Sequence, residues 1–239
     1  VWVDFPVAAP DTGKVERINP LPFQGKAQDY NTNFYDDFEG LSLKTDWTFR
    51  RVPQPKTLSL AANKGNLRLY LKPQTFGSRA RYSAIGFTQK ESEFEFEAKM
   101  HFRPHKNNEE AGISIYQKDL NFINLTVQKH HNEHLVKLTV QEKENNPPFQ
   151  FAPTTKTKIL PDYKGRLILK ITSNNGYYSY FYATDEGSSF IKLWETPDNI
   201  LLGMGYTGAH VGVYATSNGV KSKAFADYDW VKYNGITTK

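Results

Sequence analysis

The 239-residue sequence has no cysteine, which removes disulfides as a stabilising device and thiolates as metal ligands. It has no apolar run near the roughly 20 residues that cross a bilayer, so no membrane partner is expected. Residues Val1 to Pro10 are apolar but lack the basic segment and small-residue cleavage site of a signal peptide. With no initiator Met, excision from a longer chain is expected. No block of Lys and Arg occurs either. The 30 basic and 25 acidic residues give a net charge of +5, but they are interleaved, as in Lys90, Glu91, Glu93, Glu95, Glu97 and Lys99. A solvated surface is expected, with no nucleic-acid partner. Also missing are a Ser-His-Asp arrangement, a phosphate-binding loop and a dinucleotide fingerprint, so the chain is not expected to hold a complete catalytic site.

Aromatic residues and turn formers are plentiful: 14 Tyr, 16 Phe, 16 Gly and 13 Pro. Their balance favours β-structure. Residues 1–32 are broken by Pro6, Pro10, Pro20 and Pro22 and read as an extended arm or interdomain linker. Residues 33–239 read as one β-domain. Phe34 to Phe38, Trp47 to Phe49 and Leu58 to Leu60 are short candidate strands. Asn66 to Leu71 alternates with period two, as a half-buried strand does. Ala84 to Phe87, Phe94 to Ala98 and Ala111 to Tyr116 continue the series. A hairpin is expected over Asn121 to Lys143 with a polar tip at His130 to His134. A second turns at Asn174-Asn175-Gly176 between Arg166–Ile171 and Tyr177–Tyr182. Phe190 to Trp194, Ala209 to Tyr214 and Phe225 to Tyr233 complete it, and Asp198 to Leu202 hints at a helical turn. The fold class expected is all-β: a two-sheet antiparallel β-sandwich of jelly-roll type.

Several side-chain groups could carry chemistry. Glu93, Glu95 and Glu97 share one face of a strand, with neighbours about 6.5–7 Å apart. That spacing is compatible with paired glycosidase carboxylates. The plainer reading is a solvated face opposite buried Phe94 and Phe96. His130, His131 and His134 surround Glu133, a composition that suits a transition metal, but a hairpin tip splays side chains apart. His101 and His105 flank Pro104 in a similar polar setting. Asp36 and Asp37 open the domain, and Asp227 and Asp229 lie in its last strand. If first and last strands are neighbours, Asp37 and Asp229 are candidate ligands for a structural calcium ion.

The order of several short motifs resembles one known family. Phe34-Tyr35-Asp36-Asp37-Phe38-Glu39-Gly40 followed by Trp47 is similar to the opening of the concanavalin A-like C-terminal domain of family 43 glycoside hydrolases, the β-xylosidase and α-L-arabinofuranosidase type. Glu110 to Tyr116, Asn121-Phe122, Tyr206 to Val213 and Ala226 to Tyr233 resemble that domain's later segments. The resemblance covers about residues 34–235. It implies a concanavalin A-like sandwich that follows a catalytic β-propeller, so the function implied is that of a non-catalytic accessory domain. The partners implied are this upstream propeller and xylo- or arabino-oligosaccharides. An extracytoplasmic location, periplasmic or secreted, goes with such a parent enzyme. In the family a Thr-Gly-Ala-Phe loop walls the substrate subsite, which makes Tyr206, Thr207 and His210 the candidate substrate-binding residues. His210 stands where the family has Phe. An imidazole could stack on a sugar, exchange a hydrogen bond or titrate. Two other readings stay open: an independent carbohydrate-binding module using Tyr177, Tyr178, Tyr180 and Tyr182, and a freestanding glycosidase using Glu93, Glu95 or Glu97.

Overall fold

The computed structural model describes residues 31–141, 153–201 and 208–236, and everything below concerns the compact unit Thr32–Lys239. All but the last two residues of the expected arm over 1–32 lie outside the described residues. Among the described residues no helix is long and apolar enough to cross a membrane.

Two antiparallel sheets form the unit. The strands are β1 (Phe34–Asp36), β2 (Leu58–Ser59), β3 (Leu67–Tyr70), β4 (Ser83–Thr88), β5 (Glu93–His101), β6 (Glu110–Lys118), β7 (Asn121–His130), β8 (Glu133–Gln141), β9 (Thr154–Ile159), β10 (Arg166–Asn174), β11 (Tyr177–Ala183), β12 (Ile191–Pro197), β13 (His210–Thr216) and β14 (Phe225–Ile236). The larger sheet has eight strands in the order β12-β11-β10-β5-β14-β3-β2, with β1 also on β14. The smaller has six, in the order β4-β13-β6-β7-β8-β9. First and last strands are neighbours as expected: Asp36 pairs with Val231 and Phe34 with Tyr233.

Alternation sets the faces. In β5, Phe94, Phe96, Ala98 and Met100 are fully buried while Glu93, Glu95, Glu97 and Lys99 point outward. The smaller sheet supplies Ile113, Ile115, Ile123, Leu125, Val211 and Val213 to the same core. Tyr228 bridges the layers: from β14 its hydroxyl donates to the carbonyls of Gly112 at 2.7 Å and Tyr214 at 3.0 Å. A buried phenol needs such acceptors, because a stranded hydroxyl costs about 1–3 kcal/mol. The Asn175-Gly176 turn has φ of 49° and 80°, the left-handed pair that a tight two-residue hairpin requires.

The smaller sheet is buried on its outer face too. There Phe76 packs on Tyr82, Tyr116, Phe122 and Tyr214, with ring centroids 4.5–5.4 Å apart. This explains why β6 and β7 are almost continuously buried instead of alternating.

The family-like motifs have structural duties. Asp36 accepts the Trp47 indole N–H at 2.7 Å and the Phe38 backbone N–H at 3.1 Å. Asp227 accepts a bidentate Arg68 at 2.7 and 2.8 Å and Asn63 at 2.9 Å. Buried Glu110 accepts Thr126, Lys137 and Asn218.

Candidate functional site

The site grows from the outer face of the smaller sheet, at the end where β13 begins. Period two in β13 turns Val211 and Val213 into the core and leaves His210, Gly212 and Tyr214 on the outer side. Gly212 lies directly opposite Gly86 of β4. A Cβ on Gly212 would stand 2.1 Å from the Ile85 carbonyl oxygen, and one on Gly86 would stand 2.7 Å from the Tyr116 hydroxyl. The two glycines therefore form a bare floor, and the Tyr116 ring fills the space above it. His210 is the cross-strand partner of Tyr116 and stacks on it, with centroids 5.4 Å apart and planes 14° apart.

A cleft of about 400 Å³ opens beside this stack, lined by Tyr116, His210, Thr48, Phe49, Arg50 and Arg51. The segment carrying the arginines is held at the sheet by the Thr48 pairing with Gly86, at 2.7 and 3.2 Å. Asp119, in the turn between β6 and β7, binds both guanidinium groups. Arg51 meets its carboxylate with a two-pronged contact at 2.9 and 2.8 Å, and Arg50 donates at 3.0 Å. Arg50 also donates to the Gln117 carbonyl at 2.8 Å. One carboxylate facing two guanidiniums leaves the cleft with excess positive charge. Burial works to raise Asp119, yet the hydrogen bond from Arg51 and the charges of both arginines hold it below the usual carboxylate range.

His210 is held below the ordinary histidine value, first by burial and further by the Arg50 charge, against the opposing pull of the Gly208 carbonyl. The Nδ1 atom lies 3.2 Å from that carbonyl oxygen. A carbonyl can only accept, so Nδ1 carries the proton and Nε2 of the neutral ring is an acceptor. The site thus combines guanidinium donors, an imidazole acceptor and an aromatic stack, a set suited to a polyhydroxylated ring.

The other candidates are placed differently. Tyr206 and Thr207 lie outside the described residues. Glu95 and Glu97 are both ion-paired with Lys170 at 3.1 Å, on the outer face of the larger sheet. Of the four tyrosines in β11, Tyr178, Tyr180 and Tyr182 are core, and only Tyr177 is exposed. At the β7–β8 tip the His130 and His131 rings touch, whereas His134 turns toward Tyr163. Asp37 Oδ1 accepts the Glu39 N–H at 3.3 Å, and Asp229 is ion-paired with Lys99 at 2.8 Å. Among the described residues no group of three or more His, Asp or Glu side chains forms a ready metal-ligand set. Asp37 thus caps a turn and Asp229 meets a lysine, and no third carboxylate or imidazole completes a ligand set with them among the described residues.

Sequence reasoning missed Arg50, Arg51, Asp119 and the second role of Tyr116. The adjacent Arg50-Arg51 pair was visible as a motif, but nothing local ties it to an aspartate more than 60 residues away.

Known proteins share this architecture. The family model described as "Beta xylosidase C-terminal Concanavalin A-like domain" matches residues 35–234. The chain is 30% identical over 202 residues to the non-reducing end alpha-L-arabinofuranosidase BoGH43B of Bacteroides ovatus, covering 83% of this chain and 36% of that protein. It is 26% identical over 240 residues to a xylosidase/arabinosidase of Butyrivibrio fibrisolvens, covering 96% of this chain and 44% of that protein. The crystal structure of the GH43 BlXynB protein from Bacillus licheniformis superposes with a TM-score of 0.77 at 25% identity, over 90% of this chain and 41% of that one. The chain therefore spans less than half the length of each of these relatives. The match over residues 35–234, together with the two-sheet sandwich and its motif-bearing strands, shows that the chain belongs to the beta xylosidase C-terminal concanavalin A-like domain family.

Proposed function

We propose that this chain is the non-catalytic accessory sandwich of a family 43 glycoside hydrolase that acts on xylo- or arabino-oligosaccharides outside the cytoplasm. It packs on a catalytic β-propeller, and the His210 cleft helps to shape the substrate pocket. The observation that carries this reading is the His210–Tyr116 stack beside the Arg50–Arg51–Asp119 cluster, at the segment resembling the family's pocket-reaching loop. The relatives' names, an arabinofuranosidase and a xylosidase/arabinosidase, support the substrate class. Glu95 and Glu97 are both tied to the one Lys170 ammonium, which weighs against catalysis by the sandwich itself.

The test is kinetic and uses the parent enzyme. An aromatic contact of about 0.5–1.5 kcal/mol corresponds to a loss of roughly 2- to 10-fold in kcat/KM on neutral pentose oligosaccharides for His210→Ala. His210→Phe restores most of that loss if the ring serves as a wall. Unchanged kinetics in both variants would remove His210 from the pocket.

A further inference from the structure

At the other end of the sandwich lies the larger cleft, of about 1210 Å³. β13 fixes the geometry: His210 at one end pairs with Tyr116, and Thr216 at the other pairs with Glu110. Beyond Thr216, Ser217 N–H binds the Lys72 carbonyl and Gly219 N–H the Pro73 carbonyl, at the cleft's wall. Six residue-to-residue steps of about 3.4 Å separate the two ends of the strand by some 20 Å.

Four separate segments bring cations to this cleft: Lys72 after β3, Arg103 and Lys106 after β5, Lys164 and Arg166 at the start of β10, and Lys221 and Lys223 before β14. Among the described residues two carboxylates also line it, Glu109 and Asp227. Glu109 accepts the backbone N–H groups of His105 and Lys106 and the Ser222 hydroxyl. Asp227 is held by Arg68 and Asn63. Elsewhere on the surface Lys99, Lys137, Lys170 and Lys192 each meet a carboxylate. None of the seven cleft cations forms an ion pair among the described residues. Seven cations against Glu109, with Asp227 already offset by Arg68, leave the cleft with a large positive excess. Such like charges repel one another, and an anionic ligand relieves that repulsion. The exposed apolar lining is Phe225, with half-buried Ala224 beside it in sequence and the Arg68 guanidinium 3.6 Å over the Phe225 ring; Leu71 and Phe102 are buried.

We infer that this cleft binds a carboxylate-bearing oligosaccharide, a chain of uronic-acid residues. Its volume exceeds the roughly 300–1,000 Å³ of an ordinary small-molecule pocket, so it holds several sugar rings and not one compact anion. The cations are spread around the rim, as spaced carboxylates require. The exposed Phe225 ring suits the C–H face of a sugar. Single-stranded nucleic acid needs a succession of aromatic platforms, and Phe225 is the one exposed phenyl ring among the described lining residues. That the anion is a sugar rests on the carbohydrate-active reading above. The His210 measurement uses neutral sugars at the opposite end, so the two readings fail separately.

The experiment is calorimetric titration of the whole chain with a galacturonic-acid trisaccharide. Its fully methyl-esterified form, neutral xylotriose, inorganic phosphate and a thymidine oligonucleotide serve as controls. The acidic trisaccharide is expected to bind, to weaken as salt is raised, and to lose about tenfold or more in affinity in a Lys221→Glu/Lys223→Glu variant. Arg103→Glu, on a different loop, is expected to weaken it as well, and the two variants guard against a folding defect in either. The esterified and neutral sugars are expected to give no heat. No binding of the acidic sugar at millimolar concentration, equal binding of the ester, indifference to both charge reversals, or tighter binding of phosphate or oligonucleotide would overturn the inference.

Discussion

Asp119 holds two arginines at once, and its loss exposes what the cluster contributes. Asp119→Asn keeps the shape but removes the charge that offsets Arg50 and Arg51. Hydrogen bonds to charged groups are worth about 1.5–3 kcal/mol when buried, and this cluster is partly exposed, so the expected cost is about 1–2 kcal/mol. Urea denaturation measures it as a lower midpoint with an unchanged slope. An unaltered midpoint would mean that the arginines find other partners. Phe38 is a second instructive residue. Its φ of 56° lies in the left-handed region, which a bulky residue occupies at a cost of about 1–2 kcal/mol. It is held there by a buried ring stacked on Trp47 at 6.0 Å and by its N–H bond to Asp36. The sequence offered the motif Asp36-Asp37-Phe38 but not the reason for its order, which is a backbone turn held by both of these contacts.

At the scale of elements, the close approach of β4 and β13 depends on two facing glycines. Gly212→Ala places a methyl group 2.1 Å from the Ile85 carbonyl oxygen, which must shift the strand or break the pairing. Overpacking of this kind costs about 1–3 kcal/mol. The expected result is a lower melting temperature and, because His210 lies two residues away in the same strand, a loosened site. Calorimetric melting checks the first, and a melting temperature equal to the parent's would contradict it. Most strands were legible because alternation and turn residues are local signals. β9 was not, because all six of its residues, Thr154 to Ile159, are exposed and nothing alternates. It is an edge strand on β8, and its lysines discourage a further strand from joining. The tyrosines of β11 show the reverse problem. Their alternation was visible, but which side faced the core depends on pairing with β10 and packing under the other sheet.

For the molecule as a whole, pH should act in one direction. Burial, the leading cause in each case, holds His101, His134 and His210 below the ordinary histidine value. Unfolded histidines titrate near about 6.5, so between that value and the lower folded ones the unfolded chain binds more protons. Stability is then fully present above about pH 6.5 and falls as the pH drops through that window. Asp119, lowered in the folded state, adds a second loss below the usual carboxylate value. Thermal unfolding across this range checks the sign: a flat melting temperature above about pH 7 and a decline below it are expected. A melting temperature that rises on mild acidification would contradict the assignment. His210→Phe should shrink the first part of the decline.

The sequence by itself determined the class of fold and the family, because strand periodicity, turn chemistry and ordered motifs are written in neighbouring residues. It also singled out His210. Only the tertiary structure decided what surrounds His210, since Tyr116, Arg50 and Asp119 meet through strand register and a turn contact and not through sequence spacing. The same holds for charge. Lysines and arginines that look scattered along the chain converge from four segments on one cleft, while the nearby carboxylates turn inward to bind backbone and Arg68. Composition fixes the net charge, but the path of the chain through two sheets decides where that charge stands uncompensated.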